Sequence, residues 1–178
     1  PELGLVLRRR IATAIMEESR AAGFDPLFIL AVIDVESDFL ESAVSNKGAR
    51  GLMQIRPATL EFIAAKEGFK LPLADLYRDP ALQVRVGVRY LARLEKRFRS
   101  QELALMAYNA GPERLKQSLK EGDIERFRGY ARAVQRDYAR FRRRMQLENE
   151  AALAQAELAP PAGIPEPASP VDEGKALP

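Results

Sequence analysis

The chain has 178 residues, enough for one domain of ordinary size, and its 28 basic against 25 acidic residues leave a net charge of +3, too mild to imply nucleic acid. It has no cysteine, so disulfides and thiol chemistry are unavailable, and no histidine, which removes Ser-His-Asp and Cys-His systems and every histidine metal site. Acid–base work near neutral pH must therefore fall to a carboxylate, lysine or tyrosine with a shifted pKa.

In chain order, Leu3, Leu7, Ile11 and Ile15 recur every four residues and predict one buried stripe of a first helix, stopped by Gly23. Asp25-Pro26 supplies an N-cap and a first-turn proline for a second helix, running to about Asp38. Ser42 to Gly51 is rich in Ser, Asn, Lys and Gly and predicts a loop, and Pro57-Ala58-Thr59 opens a short helix ending near Gly68. Asp79-Pro80 repeats the cap-and-proline device, and the helix after it is expected to bury Val84, Val88, Leu91, Leu94 and Phe98, with Gly87 beside that stripe letting another helix approach. Ser100 caps a segment through Leu105 to Tyr108, which Gly111-Pro112 breaks and restarts. A last long helix is expected from about Ile124 into the 150s, with Tyr130, Val134, Tyr138, Phe141 and Met145 on its packed face. Arg128, Arg132, Arg136, Arg140 and Arg144 lie roughly 200° round it and form a basic ridge. Half of the 12 prolines fall between Pro160 and Pro178, in a stretch without aromatics that reads as a disordered tail. No apolar run is long enough to span a bilayer. Pro1 is not an initiator residue, so the chain is expected to be processed or trimmed, and a signal segment upstream would leave no trace.

Chemistry gathers around Glu36. The helix before it is otherwise apolar (Leu27 to Ile33), and such surroundings raise a carboxyl pKa, as an acid catalyst at neutral pH requires. The loop from Ser45 to Ile55 combines Gly48 and Gly51, which let backbone approach a bulky ligand, with Ser45 and Gln54, which can hydrogen-bond a carboxylate or an acetamido group. Ala107-Tyr108-Asn109-Ala110-Gly111-Pro112 places a phenol and an amide just before a helix break. Taken singly, each block reads more simply as ordinary structure: a solvated helix-end glutamate, an interhelical loop, a core aromatic with its cap. Asp34, Glu36 and Asp38 alternate without a calcium-loop glycine and read as a helix-end charge cluster rather than a cation site. The arginine ridge reads as a solvated face, with phosphate, anionic lipid or acidic wall polymer as the alternative partner.

Taken together and in order, these blocks resemble the lytic transglycosylase catalytic domain, the lysozyme-like fold of the soluble lytic transglycosylase family. The resemblance runs from about residue 24 to 138. It rests on Glu36-Ser37, on Ser45-x-x-Gly48-Ala49-x-Gly51-Leu52-Met53-Gln54-Ile55-x-Pro57-x-Thr59, on Asp79-Pro80 and Gly87-x-x-Tyr90-Leu91, and on the Ala107 to Pro112 block. It implies that Glu36 is the single catalytic carboxylate, protonating the oxygen between N-acetylmuramic acid and N-acetylglucosamine. The same residue then draws the proton from the muramic C6 hydroxyl, which closes on C1 to leave a 1,6-anhydro end. It implies Ser45 near the acetamido group or Glu36, Met53 as cleft wall, Gln54 as sugar-binding amide, Tyr108 as the phenol holding the acid, Asn109 as a cleft polar group and Tyr130 as the aromatic of the last helix. Two departures stand out. Gln83 occupies the place of the family's usual asparagine, and Arg126-Phe127 stands where a Glu-Thr pair is common, which removes a supporting carboxylate.

The expected architecture is an all-α lysozyme-like domain over residues 1–155, ending in a long helix, then a disordered Pro/Ala-rich tail over 156–178. The expected substrate is the peptidoglycan glycan strand, in the periplasm or cell envelope, with no cofactor or metal and no nucleic-acid partner. A goose-type lysozyme-like hydrolase, a catalytically weak wall-binding domain and a basic helical nucleic-acid binder are the alternatives.

Overall fold

Three helix starts are fixed by side-chain caps. Asp25 accepts from the Leu27 amide, Asp79 from Ala81 and Leu82, and Ser100 from Leu103, each satisfying amides that have no partner within their own helix. Proline occupies the first turn at Pro26, Pro57, Pro80 and Pro112, where its missing N–H is no loss. Left-handed Gly23, Gly68 and Gly122 end the helices before them.

The computed structural model describes residues 4–68 and 72–158. Among them the order is α1 (Leu5–Ala22), α2 (Pro26–Ser37), α3 (Pro57–Glu67), α4 (Leu73–Arg78), α5 (Pro80–Phe98), α6 (Gln101–Ala110), α7 (Pro112–Glu121), a 3-10 turn (Glu125–Phe127) and α8 (Arg128–Leu158). The fold is all-α; the loop between α2 and α3 carries two isolated antiparallel bridges, Val44 with Arg50 and Arg50 with Ile55. The short α4 has no counterpart in the sequence reading, because six residues are too few for a helical period to show.

Helix α5 is the hub, packed against α1, α3, α4 and α6. Val84, Val88 and Leu91 are fully buried, each contributing roughly 1.5–3 kcal/mol of transfer free energy, whereas Phe98 is only half-buried. The α1 stripe is shallower than expected: Ile15 is buried, Leu7 and Ile11 are half-buried, and Leu3 lies outside the described residues. What α1 also buries is Glu18, at 5% exposure. It accepts from Arg89 Nε and Nη2, both at 2.8 Å, and from Arg85 Nη1 at 3.1 Å, so a paired carboxylate clamps α1 to α5. Gly87 does admit a close neighbour, but not a helix. A Cβ there would lie 2.4 Å from Met53 Sδ, so the glycine makes room for a loop side chain.

The chain divides into two compact units, residues 1–143 and 144–178. In the first, α8 carries buried Ala131 and Val134 and half-buried Tyr130, Tyr138 and Phe141. In the second, the described residues are the end of α8, with Arg144 paired to Glu148 at 2.8 Å. Met145, expected on the packed face, is 44% exposed. The helix passes the expected border at residue 155 and reaches Leu158; the rest of the expected tail, 159–178, lies outside the described residues. Each arginine of the ridge has a carboxylate within ion-pair distance: Arg128 and Arg132 share Glu125, Arg136 meets Asp137, Arg140 meets Asp34 and Arg144 meets Glu148.

Candidate active site

Glu36 is the penultimate residue of α2, so an apolar helix capped at Asp25 aims it into the interior. The chain then leaves α2 through two consecutive left-handed residues that are not glycine, Asp38 (φ 51°) and Phe39 (φ 59°). Gln54, across the cleft, has φ 46°. Such conformations cost roughly 1–3 kcal/mol each and gather where surrounding structure imposes a functional geometry.

Among the described residues one side chain bonds the carboxyl directly. Tyr130 Oη, from α8, donates to Glu36 Oε1 at 2.6 Å. Burial pushes the Glu36 pKa up, the Tyr130 hydrogen bond pulls it back, and the result is about 7. Burial and the nearby Glu36 charge raise Tyr130 and Tyr108 far above the ordinary phenol range, so both keep their protons and act as donors. Tyr108 does not hold the acid, contrary to the role its motif implies. Its hydroxyl donates to the Met53 carbonyl at 2.8 Å, and its ring leans on Tyr90 at 5.5 Å.

The loop from Ser42 to Arg56 is built from its own polar groups. Ser45 Oγ accepts from the Ala49 amide at 3.0 Å and from Lys47 at 3.3 Å. Gln54 Nε2 donates to the carbonyls of Ala43 and Gly51, both at 3.0 Å. Ser37 Oγ sits between the carbonyls of Ile33 at 3.1 Å and Leu52 at 2.9 Å, which stitches the loop to the end of α2. Gln83 accepts from the Leu52 amide at 3.1 Å and donates to Tyr77 at 2.6 Å. Gly51 makes room for this contact: a Cβ there would stand 1.6 Å from Gln83 Oε1, and its φ is +75°. The glutamine at this position thus works as a loop anchor.

A cleft of about 310 Å³ opens over the carboxyl. Glu36, Ser45, Gln54, Tyr108 and Asn109 line it, and among the described residues Glu36 is its sole carboxylate. Met53 and Tyr130 do not line it. Met53 is fully buried under Gly87, so it is a support for Tyr108 and not a cleft wall, and Tyr130 stands behind the acid. Tyr90, Lys47, Arg56 and Thr59 line it without having been singled out as site residues. The signal for Tyr90 was its place three residues after Gly87; for Arg56 there was none. Arg126 and Phe127 serve packing: Arg126 Nη2 donates to Ser118 Oγ at 2.5 Å and lies 4.9 Å over the buried Phe127 ring. Among the described residues no group of three or more acidic side chains is placed to hold a metal ion, and Asp34 is paired with Arg140 at 2.5 Å.

The all-helical scaffold, with a buried carboxyl at the end of α2 beneath a polar cleft, is of the lysozyme-like fold class. The chain belongs to the transglycosylase SLT domain family, whose sequence profile matches residues 13–128. It is 32% identical over 120 residues to the membrane-bound lytic murein transglycosylase C of Mannheimia succiniciproducens, covering 60% of this chain and 32% of that protein. The protein of the same name from Klebsiella pneumoniae is 36% identical over 86 residues, 45% of this chain and 23% of its own. Among solved structures, the lytic transglycosylase Slt of Pseudomonas aeruginosa, an inactive mutant, superposes with a TM-score of 0.66 at 28% identity, over 75% of this chain and 24% of that one. The 70 kDa soluble lytic transglycosylase of Escherichia coli shares the fold, with a TM-score of 0.67 at 23% identity over 75% and 24% of the two chains. The chain spans about a third of the length of the curated relatives it matches.

Proposed function

We propose that the chain is a peptidoglycan lytic transglycosylase of the cell envelope, cleaving the bond between N-acetylmuramic acid and N-acetylglucosamine with Glu36 as its acid and base. The carrying observation is that, among the described residues, Glu36 is the only carboxylate lining the cleft and sits at a pKa of about 7. A group with that pKa is substantially protonated at neutral pH and can give its proton to the leaving oxygen. Tyr130 occupies Oε1, which leaves Oε2 to face the bond. After cleavage the same carboxylate accepts the proton of the muramic C6 hydroxyl, and that oxygen closes on C1. The proton count balances without water, and the product is a 1,6-anhydro end.

Inverting and most retaining glycosidases need a second carboxylate, as base for water or as nucleophile. A cleft with one carboxylate suits a reaction in which the substrate supplies both the nucleophile and, through its acetamido group, support for the cationic carbon. Ser45, Gln54 and Asn109 are among the polar side chains that line the cleft and can meet that group and the sugar hydroxyls. The relatives' names, lytic murein transglycosylases described as membrane-bound, support both the reaction and an envelope location; no helix among the described residues is long and apolar enough to cross a membrane. The Pseudomonas aeruginosa relative is inactive after a glutamate-to-glutamine exchange.

The deciding experiment is mass spectrometry of digested sacculi. Anhydro-muramic ends are expected, and reducing ends would mean hydrolysis by water instead. Glu36→Gln should fold and lose nearly all lysis; retained lysis would remove Glu36 from its role.

A further inference from the structure

Helix α1 has two faces of different chemistry. Its inner side carries buried Ala14, Ile15, Glu18 and Ser19. At 100° per residue, Leu5, Val6, Arg9, Thr13, Met16 and Arg20 fall within an arc of about 100° on the opposite side. All six are exposed, and the three large apolar side chains among them strongly so: Leu5 at 64%, Val6 at 74% and Met16 at 53%.

The charge on that arc is of one sign. Arg9 and Arg20 have no carboxylate partner among the described residues. The exposed Arg8 and Arg10 flank the arc, Arg10 in an ion pair with Asp79. Glu17 is the one exposed carboxylate of α1; it stands just past the edge of the arc and is bonded to Arg85 at 2.8 Å. A recess of about 380 Å³ opens beside the arc, between α1 and α5. Val6, Thr13, Ala81 and Leu82 line it together with three guanidiniums, Arg9, Arg10 and Arg85.

We propose that the outer face of α1 lies on an anionic phospholipid bilayer, with Leu5, Val6 and Met16 entering the acyl boundary and Arg9 and Arg20 meeting the headgroup phosphates. Exposed aliphatic side chains interleaved with unpaired arginines suit a surface that is apolar below and anionic above. Nucleic acid and acidic wall polymer supply the charge but have no apolar layer to take up Val6 and Leu5. The recess beside Arg9 offers a phosphate planar donors over an apolar floor. Helix α5 stands between this face and the Glu36 cleft. Its Arg85 and Arg89 bond Glu18 on the inner side of α1, whereas its Gln83, Gly87 and Tyr90 meet the cleft loop or line the cleft. A chain resting on a bilayer through α1 therefore keeps its cleft open. The inference does not depend on what the cleft cleaves.

The test is co-sedimentation of the 178-residue chain with phosphatidylglycerol-containing vesicles and with pure phosphatidylcholine vesicles. Binding is expected to the anionic vesicles and to weaken as salt rises. Arg9→Gln should weaken it about fivefold and Val6→Ser about tenfold. Arg143→Gln, which removes the same charge from the exposed side of α8, should leave it unchanged. The chain has no tryptophan, so Val6→Trp creates a single fluorophore, whose emission should move to the blue on anionic vesicles. Leu153→Trp, equally exposed near the end of α8, should show no such shift. No binding, equal binding to phosphatidylcholine, equal losses in Arg9→Gln and Arg143→Gln, or full binding by Val6→Ser would each overturn the inference. So would self-association without lipid that Val6→Ser abolishes, because the face would then be an interface between copies of the chain.

Discussion

Tyr130 Oη donates to Glu36 Oε1 at 2.6 Å across 94 positions of sequence, joining the last helix to the end of the second. Two further bonds run the same way in the same unit. Tyr138 Oη reaches Asp25 Oδ2 at 2.7 Å, the cap of α2, and Arg140 reaches Asp34 at 2.5 Å. The first residues of α8 are therefore a brace along α2, and the acid is set at one end of that brace.

The Tyr130 bond stabilises the ionised carboxylate, so removing it should raise the Glu36 pKa above its value of about 7. Wild-type kcat/KM should fall as pH rises through 7, because the acid loses its proton. In Tyr130→Phe that alkaline limb should move upward by about one pH unit, the size of one hydrogen bond to a charged group. Tyr108→Phe breaks a bond to the Met53 carbonyl instead and should leave the limb in place. A pH–rate series on soluble glycan separates the two; an unmoved limb in Tyr130→Phe would contradict the assignment.

Glu36 should also make stability depend on pH. Its pKa is near 4.5 unfolded and about 7 folded, so ionisation favours the unfolded chain. The associated stability is whole below 4.5 and is lost as pH rises through 7. Glutamine carries no such penalty. Thermal melts of Glu36→Gln should match wild type near pH 4 and exceed it at pH 8, by up to about 3 kcal/mol. A constant difference across that range would mean that the carboxyl is less buried than it stands here.

Gly87→Ala places a methyl 2.4 Å from Met53 Sδ and 2.9 Å from Met53 Cβ. Met53 must shift, and with it the carbonyl that Tyr108 binds. A loss of about 1–3 kcal/mol in chemical denaturation is expected, together with reduced activity. Met53→Ala in the same chain should restore part of the stability. Gly51→Ala should not be rescued by shortening Gln83, because its φ of +75° would remain strained for any side chain.

Glu18 tests the α1–α5 clamp. Burial, the largest influence, raises its pKa, but the bonds and charges of Arg89 and Arg85 together bring it below the ordinary value. A carboxyl held low stabilises the fold above its unfolded pKa and loses that contribution as pH falls through the folded one. Glu18→Gln should cost about 2 kcal/mol at pH 7, less than the roughly 3–5 typical of breaking a deeply buried pair. The reason is that Arg85 and Arg89 remain 30% and 33% exposed and can be rehydrated. The deficit should shrink below pH 4, which denaturation at two pH values would show.

Local chemistry made most of the helices legible. Asp25-Pro26, Asp79-Pro80 and Ser100 act within a few residues, so capping and proline geometry can be read without the fold. The α5 stripe and the composition of the Glu36 helix are likewise one-dimensional patterns. The absence of histidine in the sequence alone confined acid–base chemistry to a carboxylate, lysine or tyrosine. Tertiary structure decided everything that depends on partners far apart in the chain. It decided that Tyr130 and not Tyr108 meets the acid, because which of two phenols arrives depends on how α8 lies on α2. It put Met53 under Gly87 and out of the cleft, since a methionine beside a glycine notch is sterically free to turn inward. It turned Gln83 into the anchor of the glycine loop and brought Arg56 to the lining of the Glu36 cleft. Capping is a short-range property of neighbouring residues; a pKa of about 7 is a sum over burial and a distant hydrogen bond that only folding gathers.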